Sequence, residues 1–340
     1  MPSNKFKPAI LTAFLSVGAV QWAEAQSPVG SRASGMAGAF VGVADDASAV
    51  YWNPAGLASG AYASFVLDFG KDERIPQAGT FPSGASRGTG RILALSVPPV
   101  GLAYYRRGVY ASGAPEPAVL GVPGREEVRS SVHAVATSTV GVALLHSLNE
   151  YVVVGTTLKL VRGRAAAGFV KTADAGDALD AAADLSGDSE TKGDLDAGLM
   201  IAVNRLRLGL VARNLTTPSF KLDAAGSEPV AMEREARVGA AWGSGWPGMS
   251  RVVVAVDADV TARPAPGGDR RDLAGGVETW WKTRRLGVRA GVRRSMIGES
   301  RSVVAAGVSA GVTASIFLEA HAARGRQDER AWSVGARFGF

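Results

Sequence analysis

The sequence predicts an all-β protein: a fourteen-stranded antiparallel transmembrane β-barrel with a small plug at its amino-terminal end. Three observations predict it. Extended segments alternate apolar and polar residues, the connections between them alternate in length, and 43 glycines accompany a charged fraction of only 20%. A solvated helical protein or a disordered chain is not usually composed in this way.

The first element is a leader. Lys5 and Lys7 precede a mostly apolar run from Pro8 to Val20, and Ala23-Glu24-Ala25 stands before Gln26. This is the pattern of a secretory signal peptide over residues 1–25, and the apolar run is short for a membrane anchor. Cysteine is absent, which excludes disulfides, thiol chemistry and Cys-ligated metals. No cofactor is expected. The net charge of +6 invites nucleic acid as a partner, but the arginines fall mostly singly along strands instead of forming a patch, which argues against it.

Residues 26–60 form the expected plug, or hatch, whose small residues suit tight packing against a barrel wall. Arg32, Gly35 and Met36 lie in its first part. Asp45-Asp46, followed by Ala47, Ser48 and Ala49, is placed to begin a short helix where a carboxylate satisfies free N–H groups. Asn53-Pro54-Ala55-Gly56 reads as a turn, with proline fixing its own φ and the Asn53 amide free to bond nearby backbone. A capped turn that only packs is the alternative reading.

Residues 61–340 are expected to form the barrel. Fourteen extended segments run over 61–69, 90–97, 100–109, 130–146, 150–163, 193–203, 205–214, 232–242, 250–260, 271–281, 285–296, 302–311, 314–325 and 331–340. Segment 130–146 is long enough to leave the membrane or to bend. Odd-numbered segments are followed by generally longer polar connections, and even-numbered ones by short turns such as Pro98-Pro99, Asn204 and Val312-Thr313. Short periplasmic turns and longer external loops are the pattern of outer-membrane barrels, so the bacterial outer membrane is the expected location and its lipid the surroundings.

Alternation within segments sets the two faces. Leu206, Leu208, Leu210 and Ala212 oppose Arg207, Gly209, Val211 and Arg213, and similar series recur near 252–259, 285–293 and 316–323. A charge on the lipid face at the midplane costs about 2–4 kcal/mol. The charges therefore assign Arg207, Arg237, Arg251, Asp257, Asp259, Glu278, Arg285, Arg289, Arg293 and Glu319 to the lumen, with Lys159 and Glu233 on the same parity. Mixed signs favour a paired, structural interior. An anion-favouring lumen is the alternative, since Arg285, Arg289 and Arg293 share one strand.

The last segment places Trp332, Val334, Ala336, Phe338 and Phe340 on one face. Trp332, Phe338 and the terminal Phe340 resemble an outer-membrane assembly signal, which implies the barrel assembly machinery as a partner. Among the remaining signals, His133, His146 and His321 lack ligand spacing, and Ser309 with His321 is a conceivable catalytic pair without a third group. Trp242, Trp246, Trp280 and Trp281 suit an interfacial girdle, the alternative being a hydrophobic exit. The acidic stretch 172–196 reads as a solvated, mobile external loop running into the next strand, with a weak Ca²⁺ or polysaccharide contact as the alternative.

The run G-S-R-A-S-G-M-A-G-A-F-V-G-V-A-D-D-A-S-A-V-Y-W-N-P-A-G-L-A from Gly30 resembles the amino-terminal signature of FadL-type outer-membrane transport proteins. Within that superfamily the chain is similar to the shorter PorV/PorQ-like and TraF-like barrels, as is A-R-N-L-T-T-P-S-F from Ala212 to Phe220. The resemblance implies a hatch inside a fourteen-stranded barrel, with the N-P-A element on Asn53, Pro54 and Ala55. It also implies passage of long-chain fatty acids or other apolar compounds, or, as in PorV-like proteins, a scaffold or shuttle role beside a secretion-system component. The chain is shorter than the larger FadL transporters, leaving fewer residues for an external capture groove.

Overall fold

The computed structural model describes residues 29–75, 84–113, 116–119, 126–223, 228–244, 252–264, 269–281, 285–326 and 328–340. The expected signal peptide, Arg251 and Trp246 lie outside these residues. Fourteen long strands follow in order: β1 Ser64–Arg74, β2 Ser86–Val97, β3 Val100–Ser112, β4 Glu126–Ser147, β5 Val152–Val170, β6 Glu190–Val203 and β7 Leu206–Arg213. The second half comprises β8 Glu235–Gly243, β9 Val252–Asp259, β10 Arg271–Trp281, β11 Leu286–Ile297, β12 Ser302–Gly311, β13 Ile316–Gly325 and β14 Glu329–Gly339.

Each strand pairs antiparallel with its neighbours in sequence, and β14 pairs with β1, so the sheet has no open edge around the ring. That closure is what hydrocarbon demands, because an unpaired strand edge there has no water to bond. The seam runs from Ser64 opposite Gly339 to Arg74 opposite Glu329, and Phe340 and Ala63 exchange two further backbone bonds of 3.0 and 3.1 Å. Burial alternates along the strands as the sequence pattern requires. Leu206, Leu208 and Leu210 face outward on β7 while Arg207 and Arg213 are buried.

The strands are not equally tall. β4 and β5 hold 22 and 19 residues, whereas β7, β8 and β9 hold 8, 9 and 8. At about 3.4 Å per residue the β4–β5 hairpin rises well beyond an apolar band of roughly 25 Å. The sequence segments 130–146 and 150–163 fall short of these strands because residues 126–129 and 164–170 do not alternate apolar with polar side chains.

The acidic stretch 172–196 is not all solvated loop ahead of the next strand. It contains α3, Ala175–Asp184 (α1 and α2 lie earlier in the chain), with the Asp174 side chain accepting from the Asp177 N–H at 2.9 Å as an N-cap. Ala178, Leu179 and Ala182 are buried, and the helix packs on the outer face of β3, β4 and β5 against Tyr110, Val132 and Val170. Burial of Leu179 alone stabilises this contact by about 1.5–3 kcal/mol. Arg87 on β2 bonds Asp180 at 2.5 Å and holds that carboxyl below its ordinary range. Asp194 and Asp196 belong to β6 and point into the barrel.

Candidate functional site

Residues 29–60 lie inside the ring. They fold as α1, Ser31–Gly35, α2, Ala49–Trp52, and a 3₁₀ turn over Pro54–Ser59, with Met36, Phe40, Val41 and Val43 fully buried. The wall is shaped to receive this backbone. A Cβ at Gly291 would stand 2.3 Å from the Met36 carbonyl carbon, and one at Gly276 would stand 2.8 Å from the Met36 oxygen. Gly155 meets the Ala55 nitrogen at 2.4 Å on the same measure, and Gly198 meets the Asn53 Oδ1 at 2.3 Å. The interior glycines thus make room for the segment.

Polar contacts fix its position. Arg32 donates through Nε and Nη2 to the two Glu278 oxygens on β10, at 2.8 and 2.7 Å. Its Nη1 reaches Asp46 at 3.1 Å and also pairs with Asp45. Fork-to-carboxylate geometry of this kind gives charge-assisted bonds with a fixed direction. Asp45 in turn lies 3.6 Å from Arg207 on β7, which donates to the Val43 carbonyl at 2.9 Å. Burial pushes the Asp45 carboxyl up, but Arg32 and Arg207 outweigh it and hold the group below the usual carboxylate range.

Two further wall carboxylates grip the backbone of the segment. Asp257 on β9 accepts from the Phe40 and Val41 N–H groups, both at 2.8 Å. Asp68 on β1 accepts from the Ser31 N–H at 2.7 Å and from its hydroxyl. Ser31 continues to Ser333 at 2.7 Å, and Ser333 to the His321 Nδ1 at 2.5 Å. Asn53 is fully buried, donating from Nδ2 to the Val41 carbonyl at 3.1 Å and to the Leu199 carbonyl on β6 at 3.2 Å. Its Oδ1 accepts from the Ala55 N–H at 3.2 Å, which closes the turn. At Gly56 a Cβ would come within 2.2 Å of the Ala44 oxygen, and at Gly35 within 2.7 Å of the Arg289 side chain.

Apart from Arg32, the two carboxylates of Asp45-Asp46 have different partners. Asp46 Oδ1 accepts from the Ser48 N–H at 2.9 Å just ahead of α2, while Asp45 serves the arginines. Arg237 lies 3.4 Å from Asp259 and 3.8 Å from Asp257, and Arg289 lies 3.4 Å from Glu278 and 3.8 Å from Glu319. Arg293 is paired with Asp272 and Glu329 at 3.7 and 3.6 Å. Arg285 departs from the expectation. It precedes β11 at the short-turn end and is exposed, because the strand begins one residue later. Glu233 is exposed for the same reason, two residues ahead of β8.

Trp280 is also not part of a girdle. It faces inward, is buried, and stacks edge-on against Phe317 at 5.5 Å, with Arg337 over its ring at 5.7 Å. Trp242 and Trp281 do face outward, at 45% and 48% exposure. Ser309 and His321 are not joined, since Ser309 bonds Glu319 at 2.9 Å and Arg289, while His321 bonds Ser333. At the chain end, Trp332 and Phe340 face outward, and Phe338 packs edge-on against Phe340 at 5.1 Å.

Sequence reasoning missed the wall side of these contacts. Lys159 on β5 binds Asp194 and Asp196, both at 2.6 Å, and Asn214 at 3.0 Å, which holds the A-R-N-L strand end. Tyr51 on α2 has Arg213 4.7 Å and Arg107 5.9 Å from its ring centre. Asp68 was detectable as a lone carboxylate on the inward parity of an otherwise apolar stretch of β1.

Comparison with known proteins agrees with this architecture. The CymD monoaromatic hydrocarbon channel superposes with a TM-score of 0.62 at 14% identity, covering 92% of this chain and 97% of that one. The Pseudomonas putida toluene transporter TodX superposes at 0.53 and 14% identity, with 92% and 97% covered. The chain has the fold of these channels. A family model described as F plasmid transfer operon, TraF, protein matches residues 121–259. None of the curated protein sequences matches it.

Proposed function

We propose that the protein passes small hydrophobic compounds across the bacterial outer membrane, with residues 29–60 as a hatch inside the barrel. The observation that carries this reading is the mode of hatch attachment. The segment fills the lumen, yet it is held by discrete ion pairs and backbone grips from Asp68, Asp257 and Glu278 instead of being continuous with the sheet. Contacts of that kind have two arrangements, made and broken, as a gate requires. The shared fold with the CymD and TodX channels supports apolar cargo, aromatic hydrocarbons and fatty acids being the classes to try first.

The test is uptake of labelled toluene and of a labelled long-chain fatty acid by cells with an intact outer leaflet that lack their own channel. Production of this barrel is expected to accelerate uptake of at least one compound. Uptake no faster than in cells without the barrel, for every apolar compound tried, overturns the reading.

A second reading is a scaffold in protein secretion or envelope assembly, supported by the TraF family match over 121–259 and by the tall β4–β5 hairpin that carries α3 within that region. Crosslinking in cells is expected to recover an envelope or secreted protein through α3 on this reading, and to recover none on the first.

A further inference from the structure

The outward face of the barrel is apolar from the short-turn end and then meets an arginine. Leu286, Val288, Ala290 and Val292 lead to Arg294 on β11, and Phe338, Ala336, Val334 and Trp332 lead to Arg330 on β14. Arg324 on β13 likewise stands four outward steps from Ile316, and Arg91 on β2 and Arg106 on β3 stand three outward steps from Val97 and Val100. Three to four outward steps cover about 20–27 Å of strand, or roughly 15–20 Å along the membrane normal at the usual tilt, in the upper part of an apolar band of about 25 Å. The long connections mark this end as the external one. The belt therefore lies in the outer-leaflet half of the apolar band, with its guanidinium heads within a side chain's reach of the headgroups.

Its internal geometry is unfavourable unless an anion joins it. Arg91 stands directly opposite Arg106, and Arg324 directly opposite Arg330. Like charges at such positions have Cβ atoms about 4.5–5.5 Å apart and repel. Among the described outward side chains of the strands, Glu73 is the one carboxylate, and although it stands opposite Arg330 it is engaged by Lys71 at 3.3 Å and Arg87 at 2.7 Å. Arg91, Arg294, Arg324 and Arg330 are exposed, and Arg106 is half-buried.

We propose that this belt binds the phosphorylated headgroups of an anionic glycolipid in the outer leaflet, one phosphate bridging each opposed arginine pair. The guanidinium fork matches phosphate oxygens two at a time, and its long stem lets the head reach the headgroup level while the methylenes stay on the apolar wall. The lipid shell on this side is then a selected one, independent of what crosses the lumen.

Native mass spectrometry of the whole folded barrel in a neutral detergent tests this. The probes are bisphosphorylated lipid A, the same lipid after enzymatic dephosphorylation, and phosphatidylcholine. The wild-type protein is expected to retain the phosphorylated form about tenfold more than the dephosphorylated one, decreasingly so as salt rises. The paired changes Arg91→Gln with Arg106→Gln, and Arg324→Gln with Arg330→Gln, are each expected to reduce that preference severalfold. The heat-dependent shift in electrophoretic mobility reports that the barrels are folded. Equal retention of both forms by the wild type overturns the proposal, as does wild-type preference in folded Gln variants. If a Gln pair does not fold, the wild-type comparison and the corresponding Arg→Lys pair decide, with preference kept in both expected.

Discussion

Arg32 carries more of the hatch than any neighbouring side chain, because one guanidinium joins α1, the turn at Asp45-Asp46 and the barrel wall at Glu278. Breaking a buried pair from one side leaves an uncompensated charge and costs about 3–5 kcal/mol. Arg32→Met is therefore expected to loosen the hatch while the barrel stays closed. Single-channel recording should show openings that the wild type lacks, and a silent Arg32→Met channel would count against a latch. The same contact predicts an acid response. Asp45 has its pKa lowered in the folded state by Arg32 and Arg207 against the cost of burial, so its contribution is complete above the ordinary carboxylate value of about 3.9 and is lost as pH falls through the depressed one. Protease cleavage within residues 29–60 is expected to stay slow from neutral pH to about pH 4 and to rise below it. Replacing Asp45 with Asn should make cleavage fast across that whole range.

At the scale of elements, the hatch and the strands fit because particular wall positions have no side chain. Gly291→Ala places a methyl 2.3 Å from the Met36 backbone, so the hatch must move. This variant is expected to raise conductance, while Ala290→Val, one residue along and facing lipid, is expected to leave it unchanged. α3 makes a second element-level case. Asp174→Ala removes the side chain that accepts the Asp177 N–H and should cost about 0.5–2 kcal/mol of helix stability. Hydrogen exchange should then lose protection over Ala175–Asp184 and keep it in β4 and β5. Both elements show where the sequence was legible. Asn53-Pro54-Ala55 was readable as a turn, because proline geometry and an amide bonding its own backbone are local. The reach of the Asn53 Nδ2 to Leu199 was not, because 146 residues separate them. The helix of residues 175–184 was hidden among aspartates, since its buried stripe of Ala178, Leu179 and Ala182 matters only once the hairpin stands beside it.

For the whole molecule, closure is the event on which everything else depends, and it rests on β14 pairing with β1 along eleven positions. Phe338 and Phe340 stand at the periplasmic end of that seam, with Phe340 bonded through its backbone to Ala63. Phe340→Ala removes the ring that packs on Phe338 beside this seam and is expected to lower the temperature at which the folded barrel loses its heat-dependent mobility shift, while Ala290→Val, away from the seam, should leave it unchanged. Parity along each strand and the alternation of loop lengths are local properties, so the sequence by itself determined a barrel of fourteen strands and the inward side of most of the charges assigned to its lumen, Arg207, Arg237, Asp257, Asp259, Glu278, Arg289, Arg293 and Glu319 among them. Tertiary structure decided which charges meet. Glu278 takes Arg32 and not only its neighbour Arg289, Asp257 is shared between Arg237 and two backbone N–H groups of the hatch, and Arg285 falls outside the lumen by a single residue. Such pairings depend on strand register and on how the hatch seats against the wall, and neither is written in the order of residues along one strand.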